Sequence, residues 1–305
     1  MVYDLVIIGA GPSGLSAGIY AQRAMLKTVI LEKESFYGGQ VLSTYEVDNY
    51  PGFPLLGGFE LADKFREHAE SLGVDFISSE VEKIARDGDL LKIDLNDSQP
   101  LTTKAVIVAT GSIRKKLGIK GEDEFLGKGV SYCATCDGAF FKEKIVTVVG
   151  GGDAALKDAI YLSRVCKQVY IANRSDSLKG AKRLQDVVDK TDNIHVLWET
   201  ELESINGDSA VENIGIINKK SNEKSSIAVN GVFIAIGSNP MTKFLEGLVD
   251  MDGNGYVISD ETGITNAKGI FVAGDIRVKN LRQIITAAAD GANAVNSVER
   301  YLENF

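Results

Sequence analysis

Residues 3–14 of the sequence are YDLVIIGAGPSG, and the fold class can be inferred from this pattern. Its first half is a short apolar run of the kind that forms a buried parallel strand. Gly9, Gly11 and Gly14 then supply G-x-G-x-x-G, and a helical pattern continues through Arg23. In such a strand–turn–helix unit the first glycine permits a tight turn, the second lets the backbone approach a pyrophosphate, and the third lets the helix pack closely on the strand. The stretch therefore predicts a dinucleotide-binding unit at the amino terminus.

The next strand of this unit supports the same interpretation. It is TVIL, residues 28–31, and Glu32 closes it, 23 residues after Gly9 (32 − 9). A carboxylate about 20 residues beyond the first glycine is placed to accept hydrogen bonds from a ribose. A lone glycine motif also marks ordinary turns, but the strand, the helix and the acid together make the prediction specific.

A second strand–turn–helix unit begins at KIVTVVGGGDAALKDAIYLSRV, residues 144–165, and returns through VYIANR, residues 169–174. It repeats the glycine pattern as G-x-G-x-x-A, with Gly150, Gly152 and Ala155. After the returning strand, arginines favour the 2′-phosphate of NADP and a carboxylate favours NAD. Here Arg174 is followed closely by Asp176. The pattern predicts the nucleotide-binding fold and leaves the ligand open, weak or absent nicotinamide binding included.

A third strand that ends in a turn is GIFVAGD, residues 269–275, and a helix is predicted from about Gln283 to Tyr301. A chain of 305 residues is long enough for two domains. The sequence predicts an α/β fold with two Rossmann-like dinucleotide-binding domains, the second inserted into the first. The predicted domains are 1–112 plus 243–305, and 113–242.

The bulk composition restricts the class of protein. The hydrophobic share is 44% and the charged share 25%, as in soluble globular proteins. No apolar run approaches the ~18 residues that span a bilayer, and the first residues do not resemble a signal peptide. The formal charge of −9 disfavours nucleic acid as a partner. We therefore expect a cytoplasmic enzyme with no membrane and no nucleic-acid partner.

Two of the three cysteines stand together in CATCDG, residues 133–138. Cys133 and Cys136 form C-x-x-C, which is compatible with half a zinc site, a structural disulfide or a redox dithiol. The motif lowers the pKa of one thiol towards about 7, so that a thiolate exists near neutral pH. Asp137, directly after the pair, could exchange a proton with a thiol or could cap a turn before Gly138. A redox dithiol is the interpretation that fits best.

The other candidate zinc ligands, Cys166, His68 and His195, are scattered singly, so no metal site is predicted. Cys166 ends an apolar helical pattern, and we expect it to serve packing.

These motifs together resemble one family, the low-molecular-weight thioredoxin reductases, from Tyr3 to about Glu303. The resemblance is carried in order by GAGPSG, GGQ (38–40), VDNYPGFP (47–54), ATGS (109–112), CATCDG, GGGDAA (150–155), AIGSNP (235–240), GIFVAGD and RQIITAAADG (282–291). A cysteine pair that opens the inserted domain separates this family from larger disulfide reductases, whose cysteines lie near the amino terminus.

The resemblance implies that FAD binds to the first domain. It implies that Asp275 hydrogen-bonds the ribityl chain and that a helix begins near the flavin at Arg282, Gln283 and Ile284. Gly39, Gln40 and Asn49 are implied to lie beside the flavin. The positive end of a helix dipole suits negative charge on a reduced flavin.

The resemblance also implies roles around the dithiol. Cys136 is the cysteine nearer the flavin, Cys133 attacks the partner disulfide, and Asp137 handles the proton. The implied activity is reduction of thioredoxin or a thioredoxin-like protein, in a homodimer whose second domain rotates. Two other functions stay open: another flavin-linked reductase or oxidase, and a non-catalytic flavin redox sensor.

One departure from the family concerns the electron donor. Members that use NADPH carry H-R-R-x-x-x-R where this chain has ANRSDSLKG, residues 172–180, and only Arg174 matches. Three donors are therefore possible: NADPH held by substitutes such as Lys179, NADH, or a ferredoxin without nicotinamide. Four cations could dock an acidic ferredoxin or could form a solvated linker: Arg114, Lys115, Lys116 and Lys120.

Overall fold

A computed structural model describes residues 1–44 and 46–305 of the chain. The chain divides into two compact units. Unit 1 comprises Met1–Ile113 and Asn239–Phe305, and unit 2 comprises Arg114–Ser238. The sequence predicts the corresponding boundaries after residues 112 and 242.

The strands in chain order are β1 (Val2–Ile8), β2 (Thr28–Glu32), β3 (Asp75–Ser78), β4 (Val81–Asp87), β5 (Leu90–Leu95), β6 (Leu101–Val108), β7 (Ser112–Arg114), β8 (Val130–Ser131), β9 (Ile145–Val149), β10 (Gln168–Ala172), β11 (Ile194–Leu197), β12 (Thr200–Gly207), β13 (Val211–Asn218), β14 (Lys224–Ala228), β15 (Gly231–Ile234), β16 (Ser238–Pro240) and β17 (Ile270–Val272). The α-helices are α1 (Pro12–Arg23), α2 (Gly58–Ser71), α3 (Ala134–Asp137), α4 (Asp153–Leu162), α5 (Lys182–Asp189) and α6 (Ile284–Leu302). Short 3₁₀ turns cover Gly39–Ser43, Gly138–Phe141, Lys243–Leu245 and Gly274–Ile276.

Unit 1 is built on a sheet of order β3-β2-β1-β6-β5-β4, and β17 also pairs with β6. Strands β3, β2, β1, β6 and β17 are parallel, whereas β4 and β5 join antiparallel. The carboxyl ends of β1, β2, β6 and β17 therefore meet at one edge of the sheet. In parallel α/β sheets this edge is where ligands bind.

Alternation along β1 explains the two cores of unit 1. Leu5 and Ile7 point to one face and belong to a core shared with α1 and α6. Val6 and Ile8 point to the other face and pack in a core with β4, β5 and the 3₁₀ turn that contains Leu245. Both faces of the strand are covered, which is why its sequence is a continuous apolar run.

Unit 2 repeats the arrangement with a parallel sheet of order β11-β10-β9-β15-β8. A separate antiparallel sheet, β12-β13-β14, follows in the same unit. Strands β7 and β16 pair with each other where the chain passes from one unit to the other. The returning strand β10 ends at Ala172, so the predicted strand end at Arg174 was wrong. Asn173 follows the strand: its N–H still donates to the Leu197 carbonyl of β11 (3.0 Å), while its side-chain amide donates to the carbonyls of Ser175 and Ser177 in the following loop (2.9 and 3.0 Å). Among residues 1–44 and 46–305, no helix has the length and apolarity needed to cross a bilayer.

Candidate functional site

The first glycine-rich loop follows β1 and opens α1. Gly9 has φ +103°, a value that side chains rarely permit, and a Cβ there would lie 2.6 Å from the carbonyl oxygen of Ala109. A Cβ on Gly14 would overlap the carbonyl oxygen of Gly9, so the helix can approach the strand only with glycine at this position. Gly11 faces open space, with no atom within 4 Å of an added Cβ. The backbone at Gly11 is therefore accessible to a ligand.

Glu32, at the end of β2, is held against this loop. Its Oε2 accepts a hydrogen bond from the backbone N–H of Ala10 (2.7 Å), and its Oε1 accepts one from the backbone N–H of Glu34 (3.0 Å). A carboxylate has about four lone-pair sites, so this one retains acceptor capacity for a ribose diol.

The GGQ segment meets the same loop. The N–H of Gly38 donates to the carbonyl of Ala10 (2.8 Å), and a Cβ on Gly39 would lie 3.3 Å from the Cα of Gly11. The side-chain amide of Gln40 donates to the carbonyl of Ser112 (2.6 Å). Gly39 and the first loop thus lie together at the sheet edge.

The turn that contains Asp275 joins this group. A Cβ on Gly274 would lie 2.6 Å from the hydroxyl oxygen of Ser13, in the first turn of α1. The position of the turn is fixed by Asp290 on α6, whose Oδ2 accepts a hydrogen bond from the Gly274 N–H (3.0 Å). Asp275 is therefore next to the start of α1, at the ligand edge.

Asp290 is the centre of a buried ion-pair network that sequence reasoning missed. It accepts hydrogen bonds from the Arg277 guanidinium (2.7 and 2.9 Å) and from the Lys279 ammonium (2.8 Å). Burial opposes ionisation of Asp290, but these two cations outweigh it and hold the pKa of Asp290 below its usual value. One signal was available: a single carboxylate in the apolar, alanine-rich part of a helix is rarely buried unless it is paired.

The amino terminus of α6 is capped by Gln283. Its backbone N–H donates to the Thr286 hydroxyl (3.2 Å), and its side-chain oxygen accepts from the Asn49 amide (2.9 Å). Arg282 stacks over the ring of Tyr256, with its guanidinium carbon 4.2 Å from the ring centre. The Nε of Arg282 is buried and has no hydrogen-bond partner among the described residues. Asn49 and Gln283 are thus brought together, and Ile284 is the first residue of the helix.

These features of unit 1 fit FAD. The bare backbone of Gly11 suits a pyrophosphate at the start of α1, and Glu32 suits a ribose. Asp275 and the start of α6 lie on the elements that the resemblance assigns to the ribityl chain and the flavin. The unpartnered Nε of Arg282 is a buried donor of the kind that a ligand satisfies.

The second glycine-rich loop, between β9 and α4, resembles the first: its first glycine has a positive φ and lies close to backbone, and its later glycine faces open space. Gly150 has φ +137°, and a Cβ there would lie 2.6 Å from the carbonyl oxygen of Ala235. Ala155 is fully buried, and Gly152 faces open space. The loop can therefore admit a pyrophosphate.

The residues after β10 fold onto this loop. The N–H groups of Lys179 and Gly180 donate to the carbonyl of Gly151 (2.7 and 3.0 Å), and the Ala181 N–H donates to Asp153 Oδ1 (2.7 Å). The side chains of Arg174 and Lys179 are exposed. Two exposed cations, rather than an arginine cluster, therefore follow β10.

The dithiol segment follows β8 in unit 2. Cys133 and Cys136 form a disulfide, with Cα atoms 5.3 Å apart, and both are half-buried. Cys133 is the N-cap of α3, where its sulfur accepts a hydrogen bond from the Cys136 N–H (3.2 Å). Cys166 is the free cysteine among the described residues; burial in the core raises its pKa to about 11, as expected for a packing residue.

Asp137 is oriented towards this segment by Ser131. The Ser131 hydroxyl donates to Asp137 Oδ2 (2.5 Å), and the Ser131 hydroxyl oxygen accepts from the Cys133 N–H (3.0 Å). The Asp137 carboxylate makes no capping hydrogen bond to the following turn. Burial raises the pKa of Asp137, and the Ser131 hydrogen bond and the Arg114 charge lower it only in part. The surroundings of Asp137 thus favour its protonated form, relative to an exposed aspartate.

The four cations considered for docking differ in their surroundings. Lys115, Lys116 and Lys120 are exposed, and Lys116 pairs with Asp123 (2.6 Å), whereas Arg114 is half-buried beside Tyr132. In the described part of the chain, no cluster of three or more His, Cys, Asp or Glu side chains could hold a metal ion.

Comparison with known proteins identifies the family. The sequence profile of the pyridine nucleotide-disulphide oxidoreductases matches residues 3–291. The thioredoxin reductase of Bacillus subtilis is 41% identical over 303 residues, which cover 99% of this chain and 95% of that protein. The crystal structure of thioredoxin reductase from Streptococcus pyogenes superposes with a TM-score of 0.94 at 41% identity, covering 100% of this chain and 99% of that one. The thioredoxin reductase from Giardia duodenalis superposes with a TM-score of 0.95 at 33% identity, covering 99% of each chain.

These matches confirm the resemblance to the low-molecular-weight thioredoxin reductases, and they confirm the predicted fold class, an α/β protein with two dinucleotide-binding domains. The chain therefore belongs to the pyridine nucleotide-disulphide oxidoreductase family.

Proposed function

We propose that this chain is a FAD-dependent thioredoxin-disulfide reductase that reduces thioredoxin or a thioredoxin-like protein through Cys133 and Cys136. The observation that carries the proposal is the Cys133–Cys136 disulfide, which is followed directly in the sequence by a half-buried carboxyl group, Asp137, that Ser131 orients. A structural disulfide needs no such group, whereas thiol–disulfide exchange requires proton transfer near the sulfurs.

Unit 1 would hold the cofactor. The Gly9–Gly14 loop would bind the pyrophosphate, Glu32 the ribose and Asp275 the ribityl chain, with Gly39, Gln40, Asn49 and Arg282–Ile284 beside the flavin. When bound, FAD supplies the two-electron reduction of a disulfide. In unit 2, Gly150, Gly152, Ala155 and Arg174 would hold a nicotinamide dinucleotide.

The residues of the dithiol account for the exchange with the partner. The Cys133 thiolate attacks one sulfur of the partner disulfide, and the other sulfur leaves as a thiolate that takes up a proton. The Cys136 thiolate then attacks the Cys133 sulfur, which closes the Cys133–Cys136 disulfide and releases the second partner thiol. Two electrons thus pass to the partner, and Asp137 exchanges a proton with the thiols.

The test of this function is the Cys133→Ser variant. We expect a yellow protein that retains FAD but reduces thioredoxin at least about 100-fold more slowly, because the attacking nucleophile is gone. The assay counts thioredoxin thiols formed, using whichever donor bleaches the wild-type flavin. The matched control is Cys166→Ala, which removes a buried thiol outside the site and should retain turnover. Undiminished reduction by Cys133→Ser would exclude the dithiol from the mechanism.

The electron donor is a separate question, and the departure at residues 172–180 favours a donor other than NADPH. Anaerobic titration of the yellow protein with NADPH, NADH and reduced ferredoxin, followed by flavin bleaching, distinguishes the three. We expect NADH or ferredoxin to bleach the flavin at lower concentration than NADPH. Complete bleaching by NADPH near stoichiometric concentration would show that Arg174 and Lys179 suffice as a phosphate clamp.

The same assay separates an enzyme from a redox sensor. A sensor would yield about one reduced partner per flavin, whereas an enzyme turns over repeatedly. We further infer a cytoplasmic homodimer from the family resemblance; light scattering of the purified protein tests the dimer, and a monomeric mass would contradict it.

A further inference from the structure

Arg114, the last residue of β7, is held in place beside the dithiol segment. Its guanidinium carbon lies 5.7 Å from the centre of the Tyr132 ring, within cation–π range. The Tyr132 hydroxyl donates to Glu122 Oε1 (2.7 Å), and Glu122 is only 2% exposed. Glu122 is itself fixed by the backbone N–H groups of Leu117 and Gly118 (2.9 and 2.6 Å). A buried carboxylate thus anchors the ring on which the guanidinium rests.

The segment next to Tyr132 carries the dithiol and its carboxyl group. Ser131 joins the Cys133 N–H to Asp137, so this carboxyl group and the cysteines form one hydrogen-bonded segment. Burial disfavours the ionised form of Asp137, and Arg114 is the cation whose charge opposes that effect. An arginine keeps its charge at every pH that the protein tolerates, so this contribution is permanent.

The Arg114 charge also acts on Asp158, a residue of α4. Gly138, next to Asp137, lies against this helix: a Cβ on Gly138 would be 2.9 Å from the Tyr161 ring and 3.0 Å from Leu162. Asp158 precedes these residues by three and four positions and so lies on the same helix face. Asp158 is half-buried, and the Arg114 charge opposes the effect of burial on its pKa. Besides Arg114, the titratable and charged groups of this region include Glu122, Asp123, Tyr132, Asp137, Asp158, Tyr161 and the two cysteines, and Asp123 pairs with Lys116.

We propose that Arg114 is a positioning residue of the dithiol site: resting on Tyr132, it supplies the positive charge that offsets the carboxyl groups of Asp137 and Asp158, and so helps to set the pH at which Asp137 exchanges protons with the thiols. This inference deepens the proposed function and rests on it. It also gives Arg114 a role other than that of a docking cation.

The test measures how the reduced dithiol reacts with iodoacetamide between pH 5 and pH 9, followed by mass spectrometry. Loss of a nearby cation favours the protonated forms of carboxyl groups and thiols. We therefore expect Arg114→Gln to move the midpoint of the alkylation profile upward by about half a pH unit. Arg114→Lys keeps the charge and should restore the wild-type midpoint. Lys142→Gln, which removes an exposed cation near the same segment, should leave it unchanged.

Two further variants make the result decisive. If Arg114 acts through Asp137, the shift caused by Arg114→Gln should shrink in an Asp137→Asn background. An undiminished shift there, or no shift in the single variant, would overturn the proposal. Should Arg114→Gln fail to fold, Tyr132→Phe releases the ring from Glu122 and should give a smaller upward shift, and no shift would again overturn the proposal. Alkylation needs neither thioredoxin nor a donor, so a wild type that fails to reduce thioredoxin contradicts the proposed function without altering this test.

Discussion

Asp158 is a charged residue that the fold holds in an unfavourable environment. Burial raises its pKa to about 6, from an ordinary value of 3.8, and the Arg114 charge offsets burial only in part. Because the folded-state pKa lies above the unfolded one, protonation of Asp158 stabilises the fold. That stability is fully present below about pH 4 and is lost as the pH rises through about 6. At neutral pH Asp158 is ionised, and its charge in this environment lowers the free energy of unfolding.

We therefore predict that Asp158→Asn stabilises unit 2 in a pH-dependent manner. The difference between 3.8 and about 6 corresponds to at most about 3 kcal/mol in the free energy of unfolding. The gain should be largest above pH 7 and absent near pH 4, where the wild-type carboxyl group is already protonated. Urea denaturation followed by Trp198 fluorescence measures it, since Trp198 is the only tryptophan and lies in unit 2. A gain that is equal at both pH values would contradict the assigned cause.

Single residues also show where sequence reasoning stops. Glu32 could be predicted because a carboxylate at the end of the second strand has a fixed spacing from Gly9, set by the length of one strand–turn–helix unit. Asp290 could not be placed by any such spacing. Its partners Arg277 and Lys279 lie 13 and 11 residues away on another segment, and only the packing of α6 brings them together.

At the scale of elements, the junction of β1 and α1 depends on two glycines for different reasons. Gly14 is needed for packing, because a methyl group there overlaps the Gly9 carbonyl. Gly11 is not needed for packing, because its added Cβ would meet nothing within 4 Å, and its φ of −74° suits any residue.

These two positions give a matched pair of variants. Gly14→Ala should reduce the free energy of unfolding of unit 1 by roughly 1–3 kcal/mol, as overpacking does. Gly11→Ala should leave apoprotein stability unchanged but weaken FAD binding, because its methyl group occupies the space through which a pyrophosphate approaches the backbone. Thermal unfolding of the apoproteins and titration with FAD separate the two effects. Equal loss of stability in both variants would contradict the distinction.

Elements with an uninterrupted apolar run were predicted well, and element ends were predicted less well. The start of α6 was predicted at about Gln283, and in the structure Gln283 is the N-cap and Ile284 the first residue of the helix. The end of β10 at Ala172 could not be predicted, because the Asn173 side chain bonds to the loop carbonyls of Ser175 and Ser177, and nothing in VYIANR itself reveals those partners.

At the scale of the whole molecule, each unit has its own hydrophobic cores. The cores around Leu5 and Val6 belong to unit 1, and those around Val148 and Ile214 belong to unit 2. A chain with separate cores need not unfold in one cooperative step. The proposed FAD site lies in unit 1, so bound FAD stabilises that unit directly, by an amount that grows with the ratio of free FAD to its dissociation constant.

We therefore predict two unfolding transitions that respond differently to FAD. Flavin fluorescence should report the unfolding of unit 1, and Trp198 fluorescence that of unit 2. Removing FAD should lower the midpoint of the unit 1 transition, followed in the apoprotein by calorimetry, while the Trp198 midpoint moves by less than about 1 °C. Gly11→Ala serves as the control, since it should weaken the response to added FAD without altering the Trp198 transition. If the Trp198 midpoint instead falls together with the unit 1 transition, the two units unfold as one, and the separation of their cores has no energetic consequence.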